Sequence, residues 1–142
     1  MNRILTGIVL LVVSVGALGQ GLTRSTAPEG ARVYFITPVD GAVVRSPVHV
    51  QFGLAGMGVA PAGTDAANTG HHHLLIDLPE LPPADVPLPA NDQVRHFGGG
   101  QTEAMIDLEP GEHTLQLIMG NHLHVPHDPV VASERITITV KE

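Results

Sequence analysis

The chain has 142 residues, and seven basic against fourteen acidic side chains give a formal charge of −7 when its nine histidines are neutral. This acidic balance argues against binding to nucleic acid or to an anionic membrane surface, because both interactions rely on clustered lysine and arginine. The lack of cysteine excludes disulfides, thiolate metal sites and cysteine nucleophiles, and the scarcity of aromatic residues disfavours stacking on sugars or bases.

The amino terminus, residues 1–19, has the pattern of a secretory signal peptide. A basic start at Arg3 precedes an apolar run from Ile4 to Val15, and small residues follow that run. The run is shorter than the roughly 20 apolar residues of a transmembrane helix. We therefore predict cleavage after Gly19, no membrane insertion after cleavage and a periplasmic or secreted protein; an uncleaved anchor is the alternative.

The rest of the chain has the length of one domain, predicted over residues 31–142 after a flexible lead-in at 20–30. Proline and acidic residues make the stretch 79–92 a connection rather than a packed element. Alternating apolar and polar residues between turn signals indicate six strands. These predicted strands are 32–36, 48–54, 72–78, 102–108, 113–119 and 134–140.

Several short strands with no helical period predict an all-β protein, a small antiparallel β-sandwich. An immunoglobulin-like topology is favoured, and a jelly roll or a small barrel is the alternative. Because aromatic residues are few, the core should consist of valine, isoleucine, leucine and methionine.

Seven of the nine histidines fall in three short clusters, within 71–73, at 96 and within 121–128. Imidazole is the side chain that proteins most often use to bind transition metals. Alternate residues of a strand face the same way. His71 and His73 should therefore share one face, while His72 points inward with the apolar residues of the same strand.

The three clusters can meet at one end of a sandwich, which predicts a metal site of loop histidines. The candidate ligands are His71, His73, His96, His122, His124 and His127. A carboxylate at Asp128 could orient one of the imidazoles. Copper(II) is the favoured ion and zinc the next, since imidazole sites bind copper(II) most tightly among the divalent first-row metals. The favoured function is non-enzymatic: sequestration, delivery or sensing of the metal.

The sequence leaves two other functions open. In the first, the histidines support loops by bonding to the backbone, and the protein is a structural or interaction module with a partner in the cell envelope. In the second, a metal-bound water performs hydrolysis with Glu103 as the base, which requires an open coordination position.

Three further features have simpler interpretations. His113 shares a face with Leu115 and is predicted to be a hydrogen-bonded core or corner histidine, and His49 a solvent-facing strand residue. The glycines at 98–100 lack the lysine and the following helix of a phosphate loop. We expect them to let the chain bend tightly beside His96.

Four motifs resemble the domain-of-unknown-function 4399 family of small exported bacterial proteins. They are GHHHLLID at 70–77, HFGGGQTE at 96–103, PGEHTLQL at 110–117 and GNHLHVPHDP at 120–129. The resemblance covers about residues 70–140, and it implies a small β-sandwich in the cell envelope without a settled activity. In the family pattern another histidine often stands two residues before the one at His96, where this chain has Val94.

Overall fold

The computed structural model describes residues 22–142, and the predicted signal peptide lies outside these described residues. Within them the chain forms nine strands and no helix, which confirms the all-β prediction. The strands are β1 (Arg32–Thr37), β2 (Val43–Arg45), β3 (Val48–Ala55), β4 (Gly58–Val59), β5 (Thr69–Ile76), β6 (Val94–His96), β7 (Glu103–Ile106), β8 (Gly111–Gly120) and β9 (Ile136–Lys141).

The strands form two sheets. One has three strands in the order β1-β3-β7, and the other has six, in the order β2-β9-β8-β5-β4 with β6 also paired to β5. Most neighbours are antiparallel, but β2 runs parallel to β9 and β4 runs parallel to β5. The six-stranded sheet is therefore mixed, whereas the three-stranded sheet is purely antiparallel. Within residues 22–142 no helix is long and apolar enough to span a membrane.

The main core lies between the two sheets, where the inward-facing residues of both contribute to one apolar cluster. Val50 and Phe52 come from the three-stranded sheet, and Leu74, Leu117 and Ile138 come from the six-stranded sheet. Each such side chain contributes roughly 1.5–3 kcal/mol when it is fully buried. The alternation of apolar and polar residues that predicted these strands therefore arises because one face of each strand packs in the core.

A second, smaller apolar cluster covers the outer face of the six-stranded sheet. Leu75 and Ile118 of the sheet pack there with Val94 and with Leu88 of the proline-rich connection. The backbone amide of Leu88 donates to the carbonyl of His124 at 2.9 Å. The connection therefore closes over this outer face, and side chains that point from β5 away from the main core are still buried.

Residues 24–27, within the predicted lead-in, run beside the loop that follows β8. Thr26 forms a parallel bridge with Asp128, and the amide of Asp128 donates to the carbonyl of Ser25 at 2.9 Å. The Arg24 guanidinium donates to the carbonyls of Pro126 and His127. These contacts support the histidine-bearing loop at residues 126–128.

Candidate metal centre

The first three histidines of the centre are placed by β5 and its short neighbour β6. His71 and His73 stand two residues apart on β5, so both point to the outer face of the sheet. His96 lies directly opposite His73 in the antiparallel pairing of β5 with β6. Directly opposed residues of two strands share a face with Cβ atoms about 4.5–5.5 Å apart, which places the three imidazoles together.

The fourth histidine, His124, comes from a tight turn after β8 that Asn121 organises. The Asn121 Oδ1 atom accepts the backbone amides of Leu123 at 2.9 Å and Val125 at 3.0 Å. The His124 amide donates to the carbonyl of Asn121 at 2.8 Å, and His124 adopts a φ of 67°. This left-handed conformation is uncommon for a residue with a side chain. The turn brings the His124 ring over the outer face of β5.

The four imidazole rings surround a common point. Five of the six distances between ring centroids lie from 4.7 to 5.1 Å, and the sixth, between His73 and His124, is 6.1 Å. With metal–nitrogen bonds of about 2.0–2.1 Å, four imidazoles at the corners of a tetrahedron have centroids about 5 Å apart. The ring spacing of His71, His73, His96 and His124 is therefore close to that of a four-histidine metal site, although the nitrogens of His124 do not join the mutual 4.8 Å separation of the other three.

The ring nitrogens of His71, His73 and His96 are also close together. One nitrogen of each lies within 4.8 Å of one nitrogen of the other two. Three nitrogens at that separation stand about 2.8 Å from their common centre, so a shift of less than about 1 Å would give each a normal metal–nitrogen bond. Rotation of the side chains is sufficient for a movement of this size.

Two glycines leave the space that the rings occupy. A Cβ atom on Gly120 would come within 2.8 Å of the His73 Cε1 atom, and a Cβ atom on Gly98 would come within 2.3 Å of the His96 Cε1 atom. Both separations are shorter than a van der Waals contact, so a larger residue would displace the imidazole. The predicted bend at 98–100 thus has a steric role beside His96.

Burial keeps the inner histidines uncharged. It lowers the pKa of His71 to about 4 and that of His73 to about 3, and repulsion from neighbouring histidines adds to this effect. The pKa of His96 is lowered by the same two causes, with His124 as the repelling neighbour. At neutral pH these rings are therefore in the neutral form that can bind a metal.

The inner rings also lack hydrogen bonds. Among the described residues, neither nitrogen of His71 or His73 has a partner, although their exposed fractions are only 1% and 0%. A buried polar atom left without a partner costs about 1–3 kcal/mol. A metal ion at the common point would give each ring a bond that the protein itself does not supply.

His72 points to the main core, as the alternation along β5 predicts. Its ring lies 5.1 Å from that of Phe52 and is fully buried. Burial lowers its pKa to about 4, and the backbone of Gln101 partly opposes this shift. His72 is therefore separated by the sheet from the four-histidine centre.

The structure does not bring the other two candidate ligands to the centre. The Nδ1 atom of His122 lies 3.5 Å from the exposed carboxylate of Asp65. His127 donates from Nε2 to the carbonyl of Thr69 at 3.0 Å. A Cβ atom on Gly70 would meet the His127 ring at 2.7 Å, and Gly70 faces the opposite side of β5 from its neighbour in the chain, His71.

Asp128, proposed from the sequence to orient an imidazole, has a different contact. Its Oδ1 atom lies 3.5 Å from the Arg24 guanidinium, and its side chain is largely exposed. The interaction supports the loop after β8 rather than a ring of the centre.

His113 forms a corner contact, in agreement with its predicted role. Its Nδ1 atom donates to the Asp77 carboxylate at 2.7 Å, and its Nε2 atom donates to the Glu109 carbonyl at 2.9 Å. Burial opposes a charge on the ring, but these two hydrogen bonds outweigh it and raise the pKa of His113. Because each ring nitrogen has an acceptor within hydrogen-bond distance, the geometry favours the protonated form of the ring.

Glu103, the base suggested for hydrolysis, lies on the other side of the sandwich. Its carboxylate accepts hydrogen bonds from His49 at 2.8 Å and Gln51 at 3.0 Å on the exposed face of the three-stranded sheet. These bonds lower the pKa of Glu103. His49 is exposed, as predicted, and neither residue lies on the face that carries the histidine centre.

Asn121 and Gly120 are functional residues that the sequence interpretation did not single out. The sequence contains a turn signal here, because an asparagine side chain often accepts the backbone amide two residues further on. That turn is what separates the directions of His122 and His124, which would share a face if the chain were extended.

Comparison with curated protein sequences and with solved structures gave no match. A sequence model described as Domain of unknown function (DUF4399) matches residues 50–141. The matched region contains the four histidines of the centre, both glycines that accommodate their rings, and Asn121. Since this match covers more than half of the chain, the protein belongs to the DUF4399 family.

Proposed function

We propose that this protein binds one divalent transition-metal ion through His71, His73, His96 and His124 and serves in its sequestration, delivery or sensing. The observation that carries the proposal is the convergence of four rings at tetrahedral spacing, two of them buried without hydrogen-bond partners. Histidines that only support loops would donate hydrogen bonds to backbone carbonyls, whereas these four rings lie against one another.

Copper(II) and zinc(II) are the two candidate ions, and different arguments favour each. Among divalent first-row ions copper(II) binds nitrogen ligands most tightly, but it prefers a square-planar arrangement. In a square-planar site two of the six centroid distances, the diagonals, would be about 1.4 times as long as the other four. Here only one distance exceeds 5.1 Å, that of 6.1 Å between His73 and His124. Zinc(II) accepts tetrahedral nitrogen ligands readily, so the geometry favours zinc and intrinsic affinity favours copper.

The arrangement supports holding a metal rather than using it in hydrolysis. Four protein ligands complete a tetrahedral site, whereas catalytic zinc sites keep one position for water. Glu103 is engaged by His49 and Gln51 on the opposite face of the sandwich. We further propose, from the pattern of residues 1–19, that the protein acts in the periplasm or outside the cell.

A second candidate function is an interaction module of the cell envelope, and two histidines favour it. His113 and His127 each bond to a backbone carbonyl, as expected of residues that support loops. This role is compatible with metal binding at the four-histidine centre, because it involves different residues.

Calorimetric titration of the protein, purified without a histidine tag, with zinc(II) and with copper(II) tests the proposal. We expect one equivalent to bind, and we expect His71→Ala/His73→Ala to abolish binding. His49→Ala and His122→Ala are matched controls that remove imidazoles outside the centre and should bind like the wild type. Failure of both metals to bind more tightly than about 10 μM, equivalent to about −7 kcal/mol, would refute the proposal.

A further inference from the structure

The four rings of the centre differ in their access to solvent. His71 and His73 are completely buried beneath the connection and the loop after β8. His96 is exposed, and His124 is half-buried. Among the described residues, the solvent-accessible rings of the four are His96 and His124, so a molecule in solution would approach a bound metal past these two rings.

The backbone segments that carry the four rings also differ in how firmly they are held. The segment from His71 to Ile76 pairs with β8 through six consecutive residue pairs, and β5 also has neighbours on its other side. The strand that carries His96 has three residues, and within residues 22–142 it pairs only with β5. His124 lies in a turn held by side-chain and main-chain bonds to Asn121.

On the basis of the proposed metal site, we propose that the protein passes its metal to a partner protein by stepwise ligand exchange that begins at His96. A nitrogen or sulfur ligand of the partner forms a bond to the metal as the His96 bond breaks, and His124 follows. His71 and His73 hold the ion until the last steps. The oxidation state of the ion does not change, and each step exchanges one metal–ligand bond for another.

This order of events assigns the site to delivery rather than to permanent storage. A storage site that buries all of its ligands releases metal only when the fold opens, so its release rate is set by the protein. A site with two rings at the surface allows an incoming ligand to attack while the buried pair still holds the ion. Associative transfer of this kind needs an exposed ligand at which exchange can start, and His96 on the short strand β6 is the most exposed of the four.

The kinetics of metal removal by a small chelator distinguish the two cases. The zinc-loaded full chain is mixed with the chromogenic chelator 4-(2-pyridylazo)resorcinol over a wide range of concentrations, and the rate of zinc transfer is recorded. Associative exchange predicts a rate that rises in proportion to chelator concentration. A rate independent of chelator concentration would overturn the proposal, whereas absence of bound zinc at the start would instead refute the metal site.

Variants of single ligands test the order of exchange. His96→Gln removes the exposed ring and should leave a site that still binds one equivalent and loses it to the chelator about tenfold faster. His71→Gln removes a buried ring and should abolish retention of zinc altogether, while His122→Gln should match the wild type. Equal effects of His96→Gln and His71→Gln would contradict an ordered exchange that starts at His96.

Discussion

Gly120 and His73 lie on adjacent strands, and a methyl group on the glycine would lie 2.8 Å from the Cε1 atom of the imidazole. The next closest atoms to such a methyl group are the His124 Cα atom and the His73 Nδ1 atom, both at 3.3 Å. Gly120 has no ligand atom itself, but its lack of a side chain leaves the space that His73 and His124 occupy.

Replacing this glycine should weaken metal binding without removing any imidazole. We expect Gly120→Ala to push the His73 ring off its position and to lower the affinity for zinc at least about tenfold, as loss of a supporting contact typically does. Calorimetric titration measures the effect. Gly58→Ala is the matched control, since its nearest contact would be an ordinary 3.5 Å. Wild-type affinity in Gly120→Ala would show that His73 does not bind the ion in this position.

Removing the Asn121 side chain should disturb the turn that presents His124. Asn121→Ala removes the acceptor of the part-buried amide of Leu123 and of the buried amide of Val125. The free energy of unfolding should fall by about 1–3 kcal/mol, and zinc affinity should fall with it. Denaturant unfolding and metal titration measure the two effects.

Asn91→Ala provides the control for this change. The Asn91 Oδ1 atom accepts two backbone amides, of Gln93 and Val94, each at 2.9 Å, but it does not hold His124. Its loss should cost stability with a smaller effect on affinity. Equal losses of affinity in the two variants would contradict the specific role of Asn121.

The metal-free protein should lose stability in mild acid. His71, His72 and His73 have lowered pKa values of about 4, 4 and 3 in the folded protein, so the unfolded chain takes up their protons first. Stability is therefore retained above about pH 6.5 and falls as the pH drops toward 4, by up to about 1.4 kcal/mol per group and pH unit.

Urea unfolding of the metal-free protein between pH 7.5 and pH 4.5 measures this slope. The double variant His71→Gln/His73→Gln should have a shallower dependence on pH, because two of the three histidines whose pKa is lowered to about 4 or 3 are gone. A stability that stays constant from pH 7 to pH 5 in the wild type would contradict the burial of neutral imidazoles.

We predict the opposite pH dependence for the contribution of the corner histidine, His113, to stability. Because the pKa of His113 is raised in the folded protein, its contribution to stability is present below about pH 6.5 and is lost as the pH rises through the raised value. His113→Gln should therefore reduce the free energy of unfolding more at pH 6 than at pH 9, by about 1–3 kcal/mol at the lower pH. A larger loss at pH 9 would show that the ring is not an imidazolium.

Much of the fold follows from local sequence patterns. In β3, alternation places Val50 and Phe52 in the core and leaves His49 exposed, and the same reasoning along β5 separates His72 from His71 and His73. The short strands β2, β4 and β6 have only two or three residues. Segments of that length have no period to detect, and their pairing partners define them.

The candidate site was also predictable only in part, because local patterns define some of its residues and turns define the others. The pair His71 and His73 follows from strand geometry alone. Which residue of the 121–128 cluster joins them depends on the turn at Asn121 and on the left-handed φ of His124. A pattern of alternating histidines suggests an extended chain, so it could not show that His122 turns toward Asp65.

Anomalous diffraction from crystals of the zinc-loaded protein tests the central claim most directly. We predict a single strong peak at the common point of the four rings, about 2.0–2.1 Å from one nitrogen each of His71, His73, His96 and His124. A peak coordinated by His122 or His127, or no peak at the four-histidine centre in protein that retains one equivalent of zinc, would contradict the account.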